Sequence, residues 1–320
     1  MKKNTLIFLC LGLLLMLLFL ADLMTGAADI PLSALWADGL EHKILLSLRL
    51  PKALTAVLAG IGLSLSGLQM QTLFRNPLAG PSVLGVSSGA TLGVALLVML
   101  GSVLGLSVSV GLTALFAIIG ALLVLLLVLA VSFRIRSSVT LLIVGMMVGS
   151  IAGALVNVLQ NFADPDSLKL YVTWTLGSLA AVGWPEMRWL SALFVAGLLM
   201  AVALIKPLNG LQLGEEYAAS LGINVRRVRV FLILSTGLLA GSITAFCGPI
   251  AFIGVAVPHI ARALFRTSNH RITLPAAALI GADLLLLCDV ICYSMTYPLP
   301  ISTVSALFGA PIVIWVIMRK

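Results

Sequence analysis

RLPKALTAVLAGIGLSLSGLQMQTLFRNPLAGPSVLGVSSGA, from Arg49 to Ala90, is the stretch that decides the fold. It opens on an apolar run, stops at a polar turn bearing two prolines and resumes with a second apolar run. The 25 residues from Leu50 to Phe74 make about 37 Å of helix at ~1.5 Å per residue, more than the ~30 Å hydrocarbon core of a bilayer requires. A tilted membrane span is the natural reading. Small residues punctuate it: Ala53, Ala56, Ala59, Gly60, Gly62, Ser64, Ser66 and Gly67. They let backbones approach closely in lipid, where no hydrophobic drive brings helices together, so this run is built to be surrounded. In RNPLAGP, Pro77 and Pro81 lack amide donors and bias the residues before them out of the helical region, which ends the helix.

Composition extends this reading to the whole chain. Apolar types make up 61% and charged types 9% of 320 residues, against roughly 25% charged in a soluble domain. A soluble protein is excluded. Beyond Leu6–Ala21 and Leu50–Phe74, apolar runs follow at about 82–100, 109–131, 140–159, 189–205, 230–246, 251–264, 274–295 and 301–318. These imply an all-α polytopic protein of about ten transmembrane helices in a single domain, 1–320, because no polar block is long enough to form a second core. The run from Ala251 to Leu264 is too short to cross unaided and reads as a half-helix or a tilted, buried segment. The segment from Asp29 to Leu48, with Trp36, Asp38, Glu41, His42 and Lys43, reads as a polar outer loop.

The net charge of +8 does not point to nucleic acid, because the basic residues sit at the ends of apolar runs. With the amino terminus inside, Lys2, Lys3, Arg75, Arg134, Arg136, Lys206, Arg226, Arg227, Arg229, Arg262, Arg266, Arg271, Arg319 and Lys320 fall on the inner side. Lys43, Arg49, Lys52, Lys169 and Arg188 remain outside, where Trp36, Trp174, Trp184 and Trp189 suit an interfacial belt. This imbalance places both termini in the cytoplasm. Asp22 interrupts the approach to a signal-peptide cleavage site, so the first run reads as a retained helix. Cys10, Cys247, Cys288 and Cys292 lie in apolar runs without CxxC spacing and read as small buried hydrophobes. GPSVLGV (80–86) and GPIAFIGV (248–255) echo one another five helices apart, as inverted repeats do in transporters.

RLPK followed by GxxLxxSGxxxQxxxRNPLAxPxxLGxSSGA resembles the signature of the FecCD family, the permease subunits of ATP-binding-cassette importers for cobalamin, haem and ferric siderophores. LGEEYAASLGINVRRVR (213–229), GPIAFIGVAVPHIAR (248–262) and LPISTVSALFGAP (299–311) continue the resemblance along nearly the whole chain. It implies the type II importer permease fold and a homodimer in the inner membrane. It also implies two cytoplasmic ATPase subunits and an extracytoplasmic substrate-binding protein. Pro207 and Gly210 end one span, and Glu215 to Leu221 reads as a short surface helix with acidic residues in its first turn. The resemblance makes residues 206–229 the coupling loop, with Glu215, Glu216, Tyr217, Ala218, Ala219, Leu221 and Gly222 seated in the ATPase; the plainer reading is a solvated loop with positive-inside arginines. It puts a cytoplasmic gate at Asn76 and Leu78, where an ordinary Asn-Pro turn is the plainer reading. It makes Arg49 and Lys52 the residues that dock the binding protein, although relatives often carry Arg where Tyr293 follows Asp289. Asn157, Gln160 and Asn161 become candidates for a wet pathway.

The chain carries no GxxxxGK followed by Ser or Thr, no HExxH pair and no GxSxG elbow. ATP and Mg belong to the partner subunit, and no cofactor or metal is expected in this chain. Asp283 and Asp289 fall inside an apolar run, where carboxylates are functional candidates by default. They open a second class, a proton-coupled secondary transporter, beside the plainer reading of carboxylates bonded to neighbouring hydroxyls or amides. A non-transporting membrane anchor is a third class. His259 follows Pro258 in the first turn of a short helix and reads as structural rather than as a haem ligand, and His42 and His270 read as loop residues.

Overall fold

The structure is a computed structural model that describes residues 2–26, 30, 39–101, 108–135, 137–295 and 297–318. Trp36, Asp38, Arg136, Arg319 and Lys320 lie outside the described residues. In chain order the helices are α1 (Lys2–Met24), α2 (Leu40–Leu73), α3 (Val86–Leu100), α4 (Val110–Ser132) and α5 (Ser138–Phe162). There follow α6 (Pro165–Thr175), α7 (Trp184–Ala203), α8 (Ile205–Leu211), α9 (Glu215–Ser220) and α10 (Val225–Cys247). The last three are α11 (Ile253–Phe265), α12 (His270–Tyr293) and α13 (Ile301–Met318). Among the described residues seven helices are long and apolar enough to cross a bilayer, and three shorter apolar helices, α3, α11 and most of α13, bring the total to the ten expected.

The second span is longer than its apolar run. Its 34 residues extend about 51 Å, because helix begins at Leu40 inside the segment expected to be a loop. Glu41 lies in the first turn, where a carboxylate suits the helix dipole, and a single π turn at Leu45–Arg49 joins this polar extension to the span. Helix α6 was not foreseen, yet its signal is in the sequence. The side chain of Asp164 accepts from the amides of Asp166 and Ser167, and Pro165 occupies the first helical position.

Helix α2 is buried along nearly all of its apolar length, with α12 and α11 against it. The fit is backbone on backbone. A Cβ on Gly60 would lie 2.2 Å from the Gly281 carbonyl oxygen, and one on Gly67 would lie 1.6 Å from that of Gly254. Polar atoms on α2 bond across to its neighbours rather than to solvent. The amide nitrogen of Gln69 donates to Ser235 Oγ (3.0 Å) on α10, Ser235 donates to the Gly197 carbonyl (2.9 Å) on α7, and Thr236 donates to Gln69 Oε1 (3.0 Å).

Both echoing turns lead into shortened helices. Gly85 (φ 73°) and Phe252 (φ 64°) take left-handed conformations just before α3 and α11. The two turns also meet, with the Pro81 ring packed on Gly254. Irregular backbone between apolar helices is tolerated where protein covers it, as Ala79, Gly80 and Leu84 are covered here. Helix α11 is the buried half-helix that the short run implied, but Pro258 and His259 lie in its middle rather than its first turn, because helix already starts at Ile253. His270 also departs from expectation. It opens α12, fully buried, between Thr72 Oγ1 (3.1 Å) and Asn209 Oδ1 (2.9 Å).

Gly67→Leu is expected to remove more than about 3 kcal/mol of stability, the upper end of overpacking costs, because the obstructing atoms are backbone and cannot rotate away. Thermal unfolding in detergent checks this, with Gly12→Leu, at a site open on the surface of α1, as the unaffected control.

Candidate functional site

The coupling loop folds into a helix with two faces. Gly214 (φ 116°) and Gly222 (φ 80°) bracket α9 in conformations that favour glycine. Ala218 is packed into the bundle. Glu215 turns back to Arg229 on α10, with Arg229 Nη2 donating at 3.0 Å, and also accepts from Ser138 at the start of α5. Arg229 is itself buried and donates to the Ile135 carbonyl (2.9 Å). Glu216, Tyr217 (51% exposed), Ala219, Leu221 (57% exposed) and Gly222 face outward. The seven residues expected to seat an ATPase therefore separate into an anchoring pair, Glu215 and Ala218, and an open face.

The turn that carries Asn76 and Leu78 is tied into the bundle from both ends. Asn76 Oδ1 accepts from the Leu78 amide (2.9 Å), and His259 Nε2 donates to the Pro77 carbonyl (2.7 Å). Next to it, Arg262 donates to Gln71 Oε1 (2.8 Å) and Gln71 donates to the Val255 carbonyl (3.0 Å), so the end of α2 and the middle of α11 move together. Leu78 is exposed at the tip and Asn76 half-buried. His259 is thus the residue holding this turn to α11, a role its sequence position did not reveal.

At the other end of α2, Arg49 and Lys52 do not face outward. Arg49 (6% exposed) donates to the Leu23 (2.9 Å) and Met24 (2.7 Å) carbonyls, closing the carboxyl end of α1 as a cation suits a helix C-terminus. Lys52 (4% exposed) lies between two carboxylates, Asp22 on α1 at 3.0 Å and Asp289 on α12 at 2.7 Å. The Tyr293 ring stands 4.3 Å from its ammonium. The pair expected to dock a partner is engaged inside the bundle, because two buried carboxylates without a cation would cost several kcal/mol each. Asp289 is part of this buried cluster, and Tyr293 covers the ammonium. Sequence inspection read Asp22 only as an interruption of a cleavage site, because it lies just past the end of the first apolar run.

Asp283 also differs from the expected packing carboxylate. It is 5% exposed, and neither oxygen has a hydrogen-bond partner among the described residues. Asn157 and Asn161 are exposed, and Gln160 half-buried, near the end of α5, a helix with most of its surface open.

The model of the FecCD transport family matches residues 14–319. The chain belongs to that family. This FecCD chain is 36% identical over 322 residues to the hemin transport system permease protein HmuU of Yersinia pestis, covering 98% of this chain and 96% of the relative. It is 36% identical over 320 residues to the vitamin B12 import system permease protein BtuC of Shigella boydii, covering 99% and 96%. A solved structure of an inward-facing metal-chelate-type ABC transporter superposes with a TM-score of 0.88 at 31% identity, covering 98% of this chain and 99% of that one.

Lys52→Met alone is expected to destabilise the chain by about 3–5 kcal/mol, the effect of stranding buried charge, whereas Lys52→Met with Asp22→Asn and Asp289→Asn recovers most of that loss. Unfolding of the single and triple variants in one detergent measures the difference. An unaltered single variant would show that the cluster contributes nothing.

Proposed function

We propose that this FecCD chain is the permease subunit of an ATP-binding-cassette importer that moves a metal chelate (haem, cobalamin or a ferric siderophore) into the cytoplasm. The observation that carries the reading is α9, a short helix strapped to the bundle by Glu215–Arg229 while Tyr217 and Leu221 stay open, in a chain with no phosphate-binding loop of its own. Such a helix transmits force, since a push on its open face passes through the half-buried ion pair into α10. A separate ATPase subunit seated on Glu216, Tyr217, Ala219, Leu221 and Gly222 supplies that push.

Two copies of the chain enclose the substrate path, with one ATPase beneath each and both termini in the cytoplasm. The exposed face of α5 brings Asn157, Gln160 and Asn161 to the path. Cargo arrives from a soluble binding protein at the outer end, above the Asp22–Lys52–Asp289 cluster. The cycle is alternating access. ATP closes the ATPase pair, the coupling helices rock the bundles, and the turn at Asn76 and Leu78 opens and closes the inner end. His259 makes that turn follow α11.

The unpartnered Asp283 is the observation that favours the second reading, a proton-coupled carrier. Asp283→Asn separates the two: an ATP-driven permease keeps uptake within about two-fold of wild type, whereas a carrier that moves protons through this group loses nearly all of it.

Tyr217→Ala with Leu221→Ala is expected to weaken ATPase binding by about thirty-fold, the effect of truncating an exposed anchor, and to abolish stimulation of ATP hydrolysis by the binding protein in liposomes. Full stimulation in this variant would sink the coupling assignment, and the absence of any ATPase-dependent uptake by the wild type would sink the importer reading.

A further inference from the structure

A cavity of about 520 Å³ opens between the carboxyl end of α4 and the amino end of α10, lined by Phe133, Arg134, Glu215, Arg226 and Arg229 among others. Three arginines and one glutamate thus line it, and the carboxylate is already held by Arg229 at 3.0 Å. Arg226 is fixed in place, donating to the Phe133 carbonyl (3.1 Å) with its guanidinium carbon 5.2 Å from the Phe133 ring centroid. Arg134 is exposed at the rim. A concave site with an excess of positive charge and planar forks suits a phosphate group.

The same two helices carry an apolar slot farther along. A narrow crevice of about 60 Å³ lies among Leu122, Leu125, Gly237 and Leu238. Leu125 is seven residues from Ser132, and Gly237 eight from Arg229, so the slot sits about 10–12 Å along the bundle from the basic cavity. Between them α4 presents Leu126 and Leu127 outward. A free phosphate would use only the first of these features. A molecule with an anionic head and a hydrocarbon tail uses both.

We propose that this seam between α4 and α10 is a binding site for one anionic phospholipid, its phosphate held by Arg134 and Arg226 and one acyl chain lying along Leu126 into the slot. Seated there, the lipid stands against the Glu215–Arg229 strap and braces the base of α9. That the lipid belongs to the cytoplasmic leaflet rests on the orientation proposed above; the site itself does not.

Native mass spectrometry of the purified full chain, equilibrated with phosphatidylglycerol and phosphatidylcholine of identical chains, tests this. One phosphatidylglycerol per chain should be retained in preference, Arg134→Gln with Arg226→Gln should lower retention about thirty-fold, and Arg134→Lys with Arg226→Lys should restore part of it. Leu122→Trp, which fills the slot, should weaken phosphatidylglycerol binding without changing that of glycerol 1-phosphate. Equal retention of the two lipids, or retention unchanged by the double Gln variant, overturns the site. Glycerol 1-phosphate competing as well as the lipid, with Leu122→Trp silent, reduces it to a free-anion site and overturns the lipid. Should the Gln variant fail to fold, the headgroup preference and the Leu122→Trp comparison decide alone. None of these measurements uses ATP or cargo, so their failure leaves the importer reading standing, and the reverse holds.

Discussion

In hydrocarbon, helices gain nothing by hiding apolar side chains from one another, so a polytopic bundle holds together only where backbones come close enough for dense contact and polar atoms find partners across the gap. Helix α2 meets both conditions. At Gly60 and Gly67 it leaves no room for a side chain against α12 and α11, and at Gln69 it joins a buried hydrogen-bonded chain reaching α10 and α7. Three features are referred to this helix: the Asp22–Lys52–Asp289 cluster meets it at Lys52, the Asn76–Leu78 turn follows its last turn, and α11 lies along its later half.

The two ends of the bundle are built on different physics. At the Lys52 end, charge is buried and closed: Lys52 pairs with carboxylates from α1 and α12, and Arg49 closes the carbonyls of α1. Such a cluster fixes which helices sit together even where its net energy is small. At the end that carries α9, charge lies nearer the surface. The Glu215–Arg229 pair joins a helix with an open face to the long helix behind it, and a basic cavity opens beside that pair.

Much of this was legible in the residues. The ten apolar runs, the short helix α9, the half-helix at α11 and the turn closed by Pro77 and Pro81 all follow from periodicity and local chemistry, which act over a few neighbouring positions. Local reading failed where polar residues continued a helix past the apolar run, as at Glu41–Lys43, and where a polar residue next to a turn proved buried, as at His270. For His270, the distant Thr72 and Asn209 supplied what the neighbouring residues did not.

The sequence by itself determined that this chain lives in a membrane, how many times it is apolar enough to cross, and to which family it is related, because hydropathy and motif are properties of short stretches. Which charges meet was decided only by the tertiary structure. Asp22, Lys52 and Asp289 are far apart along the chain, and nothing in their own surroundings says that Lys52 turns inward rather than toward a partner. That choice belongs to the close packing of α1, α2 and α12, which leaves two buried carboxylates with one cation in reach.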